Sequence, residues 1–252
     1  MILPNAPVNV TQRHLDPCAT ILHCCGMRLL IFLCLALLTA CGRPMTDNEK
    51  AFAYTLHGDT LDTSRVRIVD GAPTRAVTFT RTPQPRTTCR QRILPPPTGE
   101  TVTSKPAAIA LYNHILFDRD WYLEDYMPDY PDQIGLIAAM LFGHELTHAW
   151  QWQNRAETGY SPWAAAFEHR GARDPYLFDI DASPAFNDFG YEQQGAIVEE
   201  FICCRALDPT APRTARLHAL LSQVMPVAPL PKERPYAVGL PWAGVELKGI
   251  CR

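Results

Sequence analysis

The stretch HELTHAWQWQ (residues 144–153) carries two histidines four positions apart. On a helix, His144 and His148 lie on one face and present two imidazoles to a single ion, whereas Glu145 lies about 100° round the axis. Two neutral imidazoles bind Zn²⁺ without cancelling its charge, and a neighbouring carboxylate can accept a proton from metal-bound water. The stretch therefore predicts a zinc site. The alternative interpretation is a helix whose core histidines are satisfied by protein groups.

The sequence around this motif favours a buried helix. Residues 133–155, QIGLIAAMLFGHELTHAWQWQNR, have apolar side chains at helical spacing, and Asp132 is a candidate cap for the N-terminus. Burying two histidines and a glutamate in such a helix is costly unless a partner such as a metal satisfies them. The apolar setting thus supports the metal interpretation.

Catalytic zinc sites add a third protein ligand and leave the fourth position to water. The extended pattern HExxHxxGxxH is absent, because Gln151 stands at its glycine position. A following helix, YEQQGAIVEEFICCRALDP (191–209), offers glutamates instead. Glu192 and Glu199 are seven apart and share a face, whereas Glu200 points away from Glu192.

HELTH followed by an ExxG helix resembles the gluzincin branch of the zincin metallopeptidases, in which a small residue three after the glutamate lets two helices approach. Glu192 and Gly195 match that pattern. The longer pair HELTHAWQ and FNDFGYEQQGAIVEE also resembles poorly characterised bacterial metallopeptidases, some labelled VgrG-related, over roughly residues 60–210. The resemblance implies three Zn²⁺ ligands: His144, His148 and Glu192.

The resemblance also implies hydrolysis of an amide bond by metal-activated water, with Glu145 as the catalytic base that later returns the proton to the leaving nitrogen. The alternative is a non-catalytic protein in which zinc and disulfides stabilise a module that binds an envelope partner. Glu145 favours the hydrolase, because a structural zinc site has no use for a carboxylate beside its open position.

Further residues are candidates for supporting roles. Many gluzincins carry an Asp after the small residue, where this chain has Ala196, so another acid must orient a ligand histidine. Glu199 and Asp188 are the candidates for that role, and His169 is the alternative third ligand. A donor to the oxyanion is also expected. The candidate donors lie in the same part of the chain: Tyr191, Tyr176 and again His169.

From Met27 the chain reads MRLLIFLCLALLTACG, a basic residue followed by an apolar run and a small-residue site. This pattern predicts an export signal, since the run is too short to span a bilayer. Its ending LTAC resembles the lipobox of bacterial lipoproteins, which implies cleavage after Ala40 and a lipid on Cys41. Residues 27–40 are then the signal peptide, and residues 1–26 are upstream sequence from a mis-assigned start. An ordinary signal peptide or an uncut anchor is the alternative.

These features predict a protein of the bacterial cell envelope that faces the periplasm or the surface. Gly42 follows the lipidated cysteine in place of the Asp that resembles an inner-membrane retention signal, which favours the outer membrane. The net charge of -3 and the lack of a basic run argue against nucleic acid as a partner. The expected partners are the membrane, through Cys41, and a peptide or protein substrate.

Four of the nine cysteines follow the predicted lipid site: Cys89, Cys203, Cys204 and Cys251. In an oxidising compartment they indicate two disulfides, with three possible connectivities. Neighbours on a helix point about 100° apart, so Cys203 and Cys204 are expected to reach separate partners, Cys89 and Cys251. Reduced cysteines or a metal cluster are less favoured, because no CxxC spacing is present.

The pattern as a whole predicts an α+β fold of the zincin-like kind, with a small antiparallel sheet packed against the HExxH helix and the following glutamate-bearing helix. Residues 65–71 and 76–80 alternate like two strands joined by a turn at 71–73. Residues 107–117 fit a strand or a short helix. Residues 212–225 predict a third helix with an apolar stripe.

Along the chain this gives three regions after the signal peptide. Residues 41–60 are interpreted as a polar linker, and residues 61–225 as the metallopeptidase-like domain. Residues 226–252 form a Pro-rich C-terminal tail.

Overall fold

A computed structural model describes residues 42–80, 85–96, 101–170 and 174–252. The predicted upstream segment, the predicted signal peptide and the predicted lipid site at Cys41 lie outside these residues. In the part of the chain that is described, none of the helices is both long and apolar enough to cross a bilayer.

Helices and short strands are interspersed along the described residues. The helices are α1 (Asp47–His57), α2 (Cys89–Ile93), α3 (Leu136–Gln153), α4 (Arg155–Thr158), α5 (Pro162–Glu168), α6 (Tyr191–Leu207) and α7 (Pro212–Leu221). The strands are β1 (Arg67–Asp70), β2 (Val77–Thr80), β3 (Thr101–Ser104), β4 (Ala108–Leu111), β5 (His114–Phe117), β6 (Gln133–Gly135) and β7 (Ala237–Gly239). Small sheets packed against helices confirm the α+β class.

The sheets pair differently from the sequence-based prediction. One sheet has the order β1-β5-β4, with β1 parallel and β4 antiparallel to β5. β2 pairs with β3, and β6 with β7. The prediction that β1 and β2 join in one antiparallel sheet is therefore wrong. The N–H groups of Gly71 and Ala72 both donate to the carbonyl of Phe117, so the chain leaving β1 stays bonded to the end of β5.

The centre of the fold is the packing of α3 against α6, and β4 and β5 also contact α3. Phe142 and Leu146 of α3 and Ile197 and Phe201 of α6 are fully buried in the core. Gly143 allows a close approach, because a Cβ atom there would lie 2.2 Å from Cδ1 of Ile202 on α6. The two helices that carry the candidate metal ligands therefore pack closely against each other.

The helix that carries HELTH begins later than the sequence indicates. Asp132 was expected to cap it, but α3 begins at Leu136 after Gly135. Residues 133–135 form β6 instead, and the carbonyl of Asp132 accepts from the N–H of Ala237 at 2.9 Å. Pairing with the distant β7 overrides the local helical signal at these residues.

A helix also occupies most of the predicted linker. Thr46 and Glu49 form a capping box at the start of α1, and Phe52 and Leu56 are buried in the core. Glu49 is fully buried and accepts two hydrogen bonds of 2.8 Å from Arg43. The polar run at residues 46–50 masked an amphipathic helix, so the linker interpretation is wrong there.

Two disulfides join distant parts of the chain to α6. Cys89 pairs with Cys203 and fastens α2, while Cys204 pairs with Cys251 and fastens the C-terminal tail. The adjacent cysteines thus reach separate partners, as expected from their positions on a helix. The N–H of Cys89 also donates to Glu200 Oε2 at 2.7 Å.

His57 gives the fold a sensitivity to acid. Its ring is fully buried at the end of α1 beside Trp150, and both ring nitrogens lack a hydrogen-bond partner among the described residues. Burial lowers the pKa of His57 from 6.5 to about 3. Below about pH 6.5 His57 binds a proton in the unfolded chain but not in the folded chain. The stability that the folded chain gains from keeping this ring neutral is therefore present above pH 6.5 and is lost as the pH falls towards 3.

At pH 4 the loss of unfolding free energy caused by His57 is on the order of 3 kcal/mol, and it should be absent when His57 is replaced by leucine. We expect the fall in melting temperature between pH 7 and pH 4 to be smaller in His57→Leu than in the wild type. Thermal unfolding followed by circular dichroism at both pH values measures it. Equal falls in the two proteins would show that His57 is not buried in its neutral form.

Candidate metal centre

The candidate metal centre lies where α3 meets the first turn of α6. His144 and His148 are one turn apart on α3, and Glu192 is the second residue of α6. Nε2 of His144 lies 3.2 Å from Nε2 of His148 and 3.2 Å from Oε2 of Glu192. Nε2 of His148 lies 3.5 Å from the same oxygen. The three side chains are buried and form a group that could hold a metal ion.

The spacing of these atoms fits a tetrahedral cation. Bonds of about 2.0–2.1 Å to an ion such as Zn²⁺ place its ligand atoms roughly 3.3–3.4 Å from one another. The charge of the group fits as well. Burial by itself lowers the pKa of His144, but the carboxylates of Glu192 and Glu199 raise it to about 10. The group therefore favours added positive charge, which protons or a metal ion can supply.

His148 is oriented by a chain of amides. Its Nδ1 lies 2.8 Å from Oε1 of Gln151, and Nε2 of Gln151 donates to Oε1 of Gln194 at 2.8 Å. An amide oxygen can only accept, so Nδ1 carries the proton and Nε2 presents its lone pair to the site. The sequence had identified Gln151 only as a departure from a longer motif. Its position three residues after His148 on a helix was the available signal.

One of the two acids that the sequence proposes as a support for a ligand histidine lies beside His144. Its Nδ1 lies 3.2 Å from Oε1 of Glu199, at an ion-pair distance but without the alignment of a hydrogen bond. Oε2 of Glu199 accepts from Nη1 of Arg90 at 2.8 Å. Asp188, the other candidate, is exposed and accepts from Ser183 Oγ at 2.6 Å. Of the two candidate acids, Glu199 is therefore the one that lies at the site.

Glu192 is held both through its carboxylate and through its backbone. Oε1 lies 3.1 Å from Nε2 of His169, so His169 contacts the candidate ligand rather than replacing it. Glu168 at the end of α5 accepts from the N–H groups of Tyr191 and Glu192 at 2.8 and 3.0 Å. No pattern in the sequence indicates Glu168, because its contacts depend on how α5 meets α6.

Glu145 lies beside the ligand group and is 6% exposed. Within the part of the chain that the structure describes, no hydrogen bond or ion pair engages its carboxylate. Burial raises the pKa of Glu145, the two histidines lower it, and Glu192 and Glu199 raise it further, with a net increase. The carboxylate is thus available to accept a proton.

The candidate tyrosines differ in their surroundings. The ring of Tyr176 lies 5.8 Å from that of His144 and 5.7 Å from that of His169. The hydroxyl of Tyr191 instead donates to the carbonyl of Thr158 at 3.4 Å. Tyr160, which the sequence did not single out, stacks on His148 with ring centroids 5.9 Å apart. Tyr176 therefore lies at the site, and the hydroxyl of Tyr191 is engaged elsewhere.

Gly195 leaves room for the ring of His144. A Cβ atom at this position would lie 2.6–2.8 Å from three atoms of the imidazole, which Glu192 and Glu199 hold in place. We expect Gly195→Ala to displace the ring and weaken metal binding at least about tenfold, the size seen when a ligand loses its orienting partner. Titration with Zn²⁺ against a chromophoric chelator measures this affinity.

Gly135→Ala is the matched control, because its Cβ would meet nothing nearer than 3.9 Å. Wild-type affinity in Gly195→Ala would mean that α6 can move away from His144 without cost, and that the close approach of the helices is not needed.

Comparisons with known proteins give no family. A scan against protein-family models found no match, and a search of curated proteins found none. Among solved structures, the chain is similar to the effector domain of Pseudomonas aeruginosa VgrG2b, with a TM-score of 0.45 and 22% identity. The likeness covers 73% of this chain and 84% of that chain. At this level it assigns no activity, and the function must be argued from the site.

Proposed function

We propose that this chain is a zinc-dependent metallopeptidase that hydrolyses amide bonds in a peptide or protein substrate. One observation carries the proposal: the Nε2 atoms of His144 and His148 and a Glu192 oxygen lie 3.2–3.5 Å apart. Beside them is the carboxylate of Glu145, which has no bonding partner among the described residues. The first three residues would hold Zn²⁺. Two imidazoles and one carboxylate are a ligand set of catalytic zinc sites.

Zinc, when bound, supplies a positive charge that lowers the pKa of water and polarises a carbonyl. Glu145 accepts the proton of the attacking water and delivers it to the leaving nitrogen. A carboxylate whose pKa is raised by burial suits both steps, because it holds the proton more readily than an ordinary glutamate does. Tyr176 is the proposed donor to the oxyanion, because its ring lies 5.8 Å from that of His144, whereas the hydroxyl of Tyr191 donates to the carbonyl of Thr158. His169 is the second candidate.

The alternative is a zinc-stabilised module without activity. It gives the carboxylate of Glu145 no role. A buried carboxylate lacking a bonding partner costs stability. In a purely structural site, a neutral or apolar residue would serve better at that position. A hydrolase, in contrast, needs a carboxylate at this position as its proton acceptor.

A chelator experiment tests the proposed activity. The purified protein is incubated with a library of quenched fluorescent peptides, before and after treatment with 1,10-phenanthroline and then with added Zn²⁺. We expect cleavage that the chelator abolishes and stoichiometric zinc restores. Cleavage that survives full removal of the metal, or no cleavage by protein shown to hold zinc, would contradict the proposal.

We further propose that a lipid on Cys41 anchors the protein in the bacterial envelope. The support is the apolar run ending in LTAC, which resembles a lipobox. Labelling of cells with an alkyne fatty acid should mark the wild-type protein and leave Cys41→Ser unmarked. Equal labelling of the two, or release of the wild type into the soluble fraction, would count against the anchor.

A further inference from the structure

Arg90 lies just outside the candidate metal centre and is joined to it by one carboxylate. Its Nη1 is 2.8 Å from Oε2 of Glu199, and the other oxygen of Glu199 is 3.2 Å from Nδ1 of His144. The Arg90 side chain is 49% exposed, whereas that of Glu199 is 8% exposed. A surface cation therefore reaches a buried acid that contacts a candidate ligand.

The charges of the site show what Arg90 adds. Glu145, Glu192 and Glu199 are all buried within the same small volume. Three carboxylates against one divalent cation leave a net charge of about -1, which is costly in a buried site. Arg90 supplies the missing positive charge on the side away from the ligands. Among the described residues, no other Lys or Arg forms an ion pair with these three acids.

The fold places Arg90 there through several contacts of α2. Thr88 caps this short helix, and Cys89 is joined by a disulfide to Cys203, one turn after Glu199 on α6. The N–H of Cys89 donates to the neighbouring Glu200. Arg90 is thus the next residue after a covalent attachment to the helix that carries its partner.

We propose that Arg90 is a positioning residue of the metal centre, which holds Glu199 in place and through it fixes the ring of His144 for the divalent cation. The inference rests on the proposed zinc site. It assigns Arg90 no contact with the substrate or the metal. Its effect is exerted on metal affinity and on the environment of His144.

Metal affinity in a set of variants tests this role. Zn²⁺ is titrated into the full-length protein against a chromophoric chelator, for the wild type, Arg90→Ala, Arg90→Lys, Glu199→Gln and the double variant Arg90→Ala/Glu199→Gln. Orienting partners of metal ligands typically contribute 10–100-fold to affinity, and we expect a loss of about tenfold in Arg90→Ala. Arg90→Lys should recover most of it, and Arg90→Ala should add nothing once Glu199 is glutamine.

Arg92→Ala is the matched control. It removes the same charge from the same helix, but Arg92 donates to the carbonyls of Gly249 and Ile250 and not to an acid of the site. The absorption spectrum of bound Co²⁺ gives a second readout, which should change in Arg90→Ala and stay unchanged in Arg92→Ala. Thermal unfolding checks that each variant is folded.

The results separate the two proposals. A wild type that binds zinc, with Arg90→Ala binding it equally well, overturns the role of Arg90 and leaves the metal centre intact. The same holds if Arg90→Ala weakens binding equally with and without Glu199, or if Arg92→Ala weakens it as much. A wild type that binds no zinc overturns both proposals.

Discussion

Glu145→Gln is expected to lower kcat/KM for peptide hydrolysis by at least about a hundredfold, while the zinc content stays that of the wild type. General acid–base catalysis typically contributes 10²–10⁴-fold, and the amide of glutamine can neither accept nor return the proton. The two side chains have nearly the same shape. No hydrogen bond to Glu145 is lost among the described residues, so folding should be preserved. Hydrolysis rates and metal analysis on the same preparation give both quantities.

Glu157→Gln serves as the control for this experiment, since Glu157 is an exposed glutamate on α4. It should match the wild type in rate and in zinc. Full activity in Glu145→Gln would remove Glu145 from the mechanism. Loss of zinc in the same variant would instead make Glu145 a ligand. If neither the wild type nor the variant hydrolyses any peptide, the result would favour the alternative, a zinc-stabilised binding module without activity.

Glu192→Gln is expected to weaken zinc binding by more than about a hundredfold, beyond the 10–100-fold range of an orienting residue. The reason is that the variant replaces a charged oxygen 3.2 Å from Nε2 of His144 with a neutral amide. Glu199→Gln should fall within that range, because Glu199 contacts Nδ1 of His144, on the side of the ring away from the site. Comparing the zinc affinities of the two variants therefore distinguishes a metal ligand, Glu192, from a residue that orients a ligand, Glu199.

Competition with a chelator of known affinity measures both variants. Glu192 also accepts from His169, so thermal unfolding without metal must confirm that each variant is folded. Equal losses of zinc affinity in the two variants would contradict the assignment of Glu192 as the ligand and Glu199 as its support. A larger loss in Glu199→Gln would make Glu199 the ligand.

The ligand group could be predicted because each part of it is a local pattern. His144 and His148 are separated by one helical turn, and Glu192 precedes a small residue on the next long helix. Helical periodicity fixes the face on which such residues lie, so the pattern needs only two helices that approach each other. Gly195 at the point of contact indicated that approach.

The supporting residues could not be predicted in this way. Arg90 and Glu168 reach the site from α2 and α5, and only the packing of those short helices on α6 brings them there. The same limit applies to the sheets. Alternation identified β1 and β2 as strands, but it contains no information on the partner, and β1 pairs with β5. Asp132 failed as a cap because pairing with β7 is a contact between distant parts of the sequence.

Metal content measured by mass spectrometry under native conditions tests the central claim most directly. The purified protein is analysed as isolated, after removal of metal and after addition of Zn²⁺, together with His144→Ala. We predict one zinc ion per chain in the wild type, regained after removal, and none in the variant. A wild type that is folded and stays free of metal in excess Zn²⁺ would contradict the account, and HELTH would then be a helix that carries two buried histidines.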